Sequence, residues 1–326
     1  MRTDTQPEPP VNLSVLSCAY NEEANISEFL SACLESEGTN FELNEVLVVA
    51  SGCTDRTEEI VRRYQVRYPK IKLISQPVRT GKVTALLEGL RAVTGDVVLV
   101  ENADTIPSPE AFDKISAMFR EPGLDLVGAH PLPVADVPTL TYQLSKMIWD
   151  LHDAISVNSL KVGEAYAIRA EGGLRLEQCE DDDSFLSVVS HAGRVKGRYA
   201  RDAVIFTTPA SSFEDLWNHR YRIARHLARR RKIEGEGPST WDLALLLPAM
   251  LSYLRAHPRQ LPLCALGVAL EATARIAGQL IVAISRVPFN VWYPLATAKR
   301  RTPPLPGSQS MGGITQRASP EIQGRT

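Results

Sequence analysis

The chain has 326 residues, 44% of them hydrophobic and 23% charged. This composition excludes a disordered polymer and supports one large domain with an appendage, or two modest ones. With 36 basic against 38 acidic residues the net charge is −2, which argues against a globally basic nucleic-acid binder. The five scattered cysteines form no CxxC pair, a pattern of thiols in a reducing compartment rather than of a disulfide framework.

Residues 1–10 are polar and Pro-rich, with no apolar leader, and are expected to form a disordered tail. From Val11 apolar runs and helical patterns alternate. VNLSVLSC is strand-like, and residues 23–36 follow with apolar positions at helical spacing. EVLVVA (45–50) leads through SGCTD into a helix over 54–67, and IKLIS (71–75) leads to a helix opening at Gly81. DVVLVE (96–101) precedes a helix over 109–119, and LDLVGA (124–129) is a fifth strand. The alternation predicts an α/β fold with a mostly parallel sheet, its strands apolar throughout because helices cover both faces. Beyond residue 130 the rhythm breaks. TYQLSKMIWDLHDAI is helical, AYAIR (165–169) and AVIFTT (203–208) are strand-like, and residues 214–232 form a basic helix. Two apolar helical stretches occupy 241–254 and 261–285, and 301–326 reads as a disordered tail.

In parallel sheets ligands sit at the carboxyl ends of the strands, and polar residues follow the apolar runs there. Asn21 and Glu22 follow the first run, Ser51 and Asp55 the second, Asn102 and Asp104 the fourth. Asn102-Ala103-Asp104 fits either a hard-cation site or a turn. Glu180 to Asp183 fits either a general base or a helix start favourable to the helix dipole. Gly81-Lys82 at a helix start suits an anion. The basic helix 217–232 fits diphosphate recognition, an anionic membrane surface, or a solvated face. The six histidines show no metal or hydrolase spacing, and a structural role is expected for each.

The order of these segments is more specific than any one of them. VLSCAYNEEANISEFLSACL, EVLVVASGCTDRT, RTGKVTALLEGLRAVTGDVVLVENADTIPSPEAF and CEDDDSFLSVVSHAGRVKGRYARDAVIFTTPA together resemble an inverting family 2 glycosyltransferase of GT-A fold, over about residues 11–230. The resemblance implies a transferase domain over 11–232 and a C-terminal helical extension, membrane-associated, over 233–300. It implies a UDP- or GDP-sugar donor, with Tyr20 and Glu22 of AYNEE in the donor pocket and Ser51 beside the base. In VVASGCTD, Ala50 and Ser51 stand where the family has two aspartates, and Asp55 matches a helix-capping acid. Lys82 is implied near the diphosphate. ENAD is similar to the family's DxD motif, with Asn102 in the first position and Asp104 as the ligand of Mg²⁺ or Mn²⁺. Glu180-Asp181 matches the family's ED, whose aspartate is the catalytic base, and Asp183 matches a further acid. Arg222 of HRYRI stands where synthases carry QxxRW, on the acceptor or diphosphate side. A glycan, a lipid-linked molecule or a small molecule is the implied acceptor, and KVGEAYAIR (161–169) helps to shape its site. Two readings stand beside this one: a non-catalytic nucleotide-sugar binder, and a nucleotidyltransferase, for which the Gly-rich loop after the first strand is missing.

Residues 261–285 are long enough to cross a bilayer, but Glu271 and Arg275 sit at the middle, spaced i,i+4. A charged pair facing lipid there is costly. The two apolar helices are therefore expected to lie on an anionic membrane surface or against the catalytic domain, and the protein to be cytoplasmic, peripheral on the cytoplasmic face.

Overall fold

The structure, a computed structural model, describes residues 9–171, 176, 179 and 181–284. The expected tail over 301–326, most of that over 1–10, and residues 285–300 lie outside these residues.

The chain opens with β1 (Val11–Ala19), α1 (Ile26–Glu35), β2 (Phe41–Ser51), α2 (Thr57–Arg67), β3 (Ile71–Gln76), α3 (Lys82–Ala92) and β4 (Val97–Glu101). It continues through β5 (Thr105–Pro107), α4 (Ala111–Met118), β6 (Leu126–Pro133), α5 (Leu140–Ser156), β7 (Ala165–Arg169), α6 (Asp182–His191) and β8 (Gly197–Thr207). Three long helices follow: α7 (Phe213–Glu234), α8 (Leu243–Ala256) and α9 (Leu261–Ile284). Among the described residues, eight strands form one sheet in the order β3-β2-β1-β4-β7-β6-β8-β5.

β1 to β4 pair in parallel, as the apolar runs predict. Alternate residues of each run enter opposite layers. Val15, Val48 and Leu99 pack with Phe29 of α1 and Phe112 of α4, while Leu16, Val49 and Val98 pack with Leu86 of α3 and Leu186 of α6. The second half of the sheet departs from the parallel pattern. β7 runs antiparallel to β4 and to β6, and β5 antiparallel to β8. The strand expected over 124–129 runs on through Pro131 and Pro133, beside β8, past a register shift at Ala129/His130. Prolines normally end a strand reading; here the shift re-registers the pairing, so that Pro131 stands opposite Ile205.

A third apolar cluster joins Leu144 and Met147 of α5, Leu216 of α7, and Cys264 and Leu270 of α9. α9 turns Cys264, Gly267, Leu270, Ala274, Gly278 and Val282 inward. Its two charges face the protein as well. Glu271 pairs with Arg220 of α7, and Arg275 pairs with Glu271, donates to Thr240 O at 3.3 Å and lies 5.3 Å from the Trp241 ring centre. The charged pair at mid-helix is thus directed at α7 and the Thr240–Trp241 turn, and the solvent side of α9 carries no charge. By length and composition Pro258–Ile284 suffices to cross a membrane, and only 28% of its most apolar stretch is buried, unlike a core helix. The basic residues of α7 are exposed only at its end. Arg231 and Lys232 are exposed, whereas Arg230 is 5% exposed.

Candidate active site: two chambers sharing a wall

The parallel strands end at one rim, and the candidate residues stand there. Tyr20 and Glu22 follow β1, Ser51 ends β2, and Asn102 and Asp104 follow β4. The turn after β2 needs Gly52. Its φ is +66°, and a Cβ there would sit 2.6 Å from the Arg79 backbone nitrogen. That close approach brings Arg79 over the Tyr20 ring, 3.9 Å from its centre. Asp55 takes the capping role: its carboxylate accepts from the Thr57 amide at 2.9 Å and from the Glu23 amide at 3.0 Å, joining the first two rim loops.

A first chamber of about 210 Å³ lies over this rim. Tyr20, Glu22, Ser51, Lys82, Asn102, Asp104 and Arg222 all line it, as do Arg79 and Glu164. Ser51 Oγ is buried and has no hydrogen-bond partner among the described residues, so a polar group remains available for a ligand, whereas the neighbouring Ala50 is fully enclosed. Asn102 donates to Glu164 Oε2 at 2.7 Å. Glu164 precedes β7, and the antiparallel pairing of Glu101 with Ala165 brings it to the rim. Burial, then the nearby Asp104 charge, raise the Glu164 pKa.

A second chamber of about 160 Å³ adjoins the first. Asp181, Asp183, Lys161, His152 and Trp241 line it, and Lys82, Asn102, Trp149, Glu164, His219, Arg220 and Arg222 line both. Asp181 caps α6, its side chain accepting from the Ser184 amide at 3.0 Å. Burial pushes its pKa up, but His226, that hydrogen bond and Lys82 outweigh it and leave the carboxyl below its usual range. Burial holds Asp183 well above the usual range. Two neighbouring acids are thus driven apart in acidity, as acid–base sites require. Arg222 is half-buried, and the charges it feels most are Asp181, Glu164, Asp183 and Asp104.

Lys82 stands at the start of α3, as expected, but its ammonium is engaged. It lies 3.1 Å from Asp182 and 3.8 Å from Asp183. Burial would lower its pKa; the three acids Asp182, Asp183 and Asp181 reverse this and raise it. Glu180 lies outside the described residues. His219, expected to be structural, lines both chambers together with Arg220. Lys161 and Glu164 belong to KVGEAYAIR, the segment expected to shape the acceptor site but given no individual roles there, and Trp149 of α5 was reached by no site motif.

Comparison with known proteins agrees with this architecture. A mannosyltransferase from Pyrobaculum calidifontis, solved with GDP-Man and Mn²⁺, superposes with a TM-score of 0.56 at 22% identity, over 87% of this chain and 91% of that one. A dolichyl-phosphate beta-glucosyltransferase of Trichomonas vaginalis is 35% identical over 116 residues, 34% of this chain and 36% of that protein. A dolichol-phosphate mannosyltransferase of Pyrococcus furiosus is 31% identical over 106 residues, 32% of this chain and 29% of that protein. The match therefore spans about a third of the length of these curated relatives. The model of Glycosyl transferase family 2 matches residues 14–173. Over those residues the chain is similar to glycosyl transferase family 2, and its fold is that of the GT-A glycosyltransferases.

Proposed function

We propose that the protein moves a sugar from a UDP- or GDP-linked donor to an acceptor hydroxyl with inversion, the donor in the first chamber and the acceptor in the second. The observation that carries this reading is the shared wall: Asp104 borders one chamber, Asp181 the other, and Arg222 both. The relatives supply a precedent for the donor class, since the Pyrobaculum enzyme was solved with GDP-Man. Asp181, ionised at neutral pH, takes the proton of the acceptor hydroxyl. The hydroxyl oxygen bonds to the anomeric carbon from the face opposite the leaving group. The bond from that carbon to the diphosphate oxygen breaks, and its electron pair leaves with the diphosphate. One displacement inverts the sugar. Arg222 stabilises the charge growing on the leaving group, while Lys82 acts as one member of its buried ion pair.

Asp104 and Asn102 would hold Mg²⁺ or Mn²⁺, with Glu164 beside them. The fit rests on oxygen donors alone, as hard cations prefer, and on the field of Asp104 at Glu164, which a cation would relieve. When bound, such an ion neutralises diphosphate charge. The test uses two variants. Asp181→Asn is expected to lower transfer by about 10²–10⁴-fold with donor binding intact; activity within threefold of wild type would place the base elsewhere. Asp104→Ala is expected to abolish the Mn²⁺ dependence of nucleotide binding in calorimetry, and an unchanged dependence would remove Asp104 from the metal site.

We assign the transferase domain to residues 11–232 and a membrane-associated region to 233–300, of which 285–300 lie outside the described residues. Support comes from the outer surfaces of α8 and α9. Leu243, Leu247 and Leu251 form one exposed row, and Leu261, Val268, Ile276, Leu280 and Ile284 another. Exposed Arg255 in the last turn of α8 and exposed Arg259 in the turn before α9 are placed to meet anionic headgroups. The protein then sits peripherally on the cytoplasmic face. Ile276→Glu with Leu280→Glu is expected to abolish sedimentation with phosphatidylglycerol vesicles at unchanged melting temperature. Retained sedimentation would exclude this face.

A further inference from the structure

The packing of α7 against α6 gives His226 a role that its sequence spacing does not show. Along α7, Arg222, His226 and Arg230 recur every four residues and so share one face. Two contacts set the register of that face on α6. The Arg230 guanidinium lies over the Phe185 ring, 5.2 Å from its centre. One turn further on, Glu234 pairs with Arg194, just past the end of α6, and its carbonyl accepts from the same arginine at 3.3 Å. The contacts advance along both helices in the same sense, so α6 and α7 run side by side in one direction. One turn back from Arg230 stands His226, and one turn back from Phe185 stands Asp181, the residue that caps α6. Four residues are about 6 Å along either helix, so the register carries His226 to Asp181. Both side chains line the second chamber, and both are buried, Asp181 at 6% and His226 at 3% exposure.

This juxtaposition has a chemical use. Asp181 Oδ2 accepts from the Ser184 amide at 3.0 Å, which fixes one oxygen from the side of α6. A general base must also aim a lone pair at the hydroxyl, and a carboxylate held at one oxygen can still tilt. An imidazole N–H meeting it from α7 fixes the plane and supports the ionised form. The neighbouring cations have other work. Lys82 pairs with Asp182 and Asp183, and Arg222 stands in the wall shared with the first chamber. The electrostatics agree with the register: after burial, the strongest influence on Asp181 comes from His226, and the strongest on His226 from Asp181.

We infer that His226 is a positioning residue for the general base: its imidazole holds the Asp181 carboxylate from the side of α7 and acts on the transfer only through it. This deepens the function proposed above and rests on it for the role of Asp181. It also places Arg222 and the support of the base one turn apart on a single helix face, so α7 aligns the leaving-group side of the reaction with the acceptor side.

Two measurements test this, the first without turnover. In the full chain, the imidazole ¹⁵N signals of His226 are assigned by their loss in His226→Leu. Asp181→Asn is expected to shift them further than those of any other histidine. Unmoved His226 signals would separate the two side chains and overturn the inference. The second measurement follows Mn²⁺-dependent release of nucleotide from UDP-glucose and from GDP-mannose, with water in the acceptor's place. His226→Leu is expected to lower kcat about tenfold or more while the donor KM stays within about twofold. His226→Gln or His226→Asn, each with an N–H donor at the reach of one ring nitrogen, is expected to return kcat to within about threefold of wild type. Added to Asp181→Asn, His226→Leu is expected to cost nothing more; a further loss would show that His226 acts on its own. A loss confined to KM would move His226 to the donor, and amide variants as slow as His226→Leu would reduce it to packing; either overturns the inference. If the His226 signals shift as expected while Asp181→Asn releases nucleotide like wild type, the pairing stands and the assigned base fails. If Asp181→Asn is slow and His226→Leu is not, the base stands and the positioning role fails.

Discussion

Lys82→Met isolates the ion pair under the shared wall. Lys82 is 16% exposed in its side chain and Asp182 is fully enclosed, with 3.1 Å between them. Tyr166 donates to the same Asp182 oxygen at 2.8 Å, while the other Asp182 oxygen is buried without a partner among the described residues. Removing the lysine leaves a buried carboxylate with a single hydroxyl donor, and breaking such a pair costs about 3–5 kcal/mol. The expected loss at neutral pH is therefore about 3–5 kcal/mol. Lys82→Met combined with Asp182→Asn removes both charges and is expected to recover about 2 kcal/mol or more of that loss. Urea unfolding of the single and double variants measures both. A single-variant loss below about 1 kcal/mol, or a double variant no better than the single, would refute the buried-pair argument.

Two further outcomes concern packing and burial. Glu101 is 1% exposed, and burial raises its pKa to about 8 despite the Thr105 hydroxyl bond. The folded state then holds a proton that the unfolded chain has released, so stability falls as pH rises from about 4.5 to about 8. Glu101→Gln escapes this and is expected to gain on wild type across that window, by about 2–4 kcal/mol at its upper end; parallel melting curves at every pH would contradict it. At Gly278 a Cβ would lie 2.8 Å from the Arg225 nitrogen and 2.9 Å from the Ala224 carbonyl carbon, backbone atoms that cannot step aside. Gly278→Val is expected to cost about 1–3 kcal/mol. Gly267→Ala, whose Cβ meets the flexible end of Met147, is expected to cost less, and thermal melting compares the two.

The first half of the sheet was legible because each strand is buried on both faces and announces itself as a continuous apolar run. The rim rule then brought Tyr20, Ser51, Asn102 and Asp104 to one chamber. What stayed hidden depends on pairings between distant segments. Glu164 reaches Asn102 because β7 runs antiparallel beside β4, and no local pattern in KVGEAYAIR reveals strand direction. Lys82 carries the signature of an anion site, yet its nearest anions belong to Asp182 and Asp183, a hundred residues on. The three-residue β5 has too few residues to show a period, and it exists through its partner β8.

Glu271 and Arg275 show how a sound rule reaches a different result once direction is known. A charged pair in the middle of an apolar helix weighs against lipid only when it faces lipid. Along α9 the buried positions run 264, 267, 270, 274, 278 and 282, and the two charges flank that stripe. Both charges are consumed by Arg220, by each other and by the Thr240–Trp241 turn. The opposite side is left uncharged for 24 residues, about 36 Å at the rise of an α-helix. Glu271 and Arg275 also line the second chamber. One helix therefore presents an apolar surface outward and closes a polar chamber inward, and the residues that keep its outer side free of charge are the ones that form the chamber wall. On the function proposed above, lipid contact and acceptor entry would be properties of the same element, and a change that rotates α9 would disturb both together.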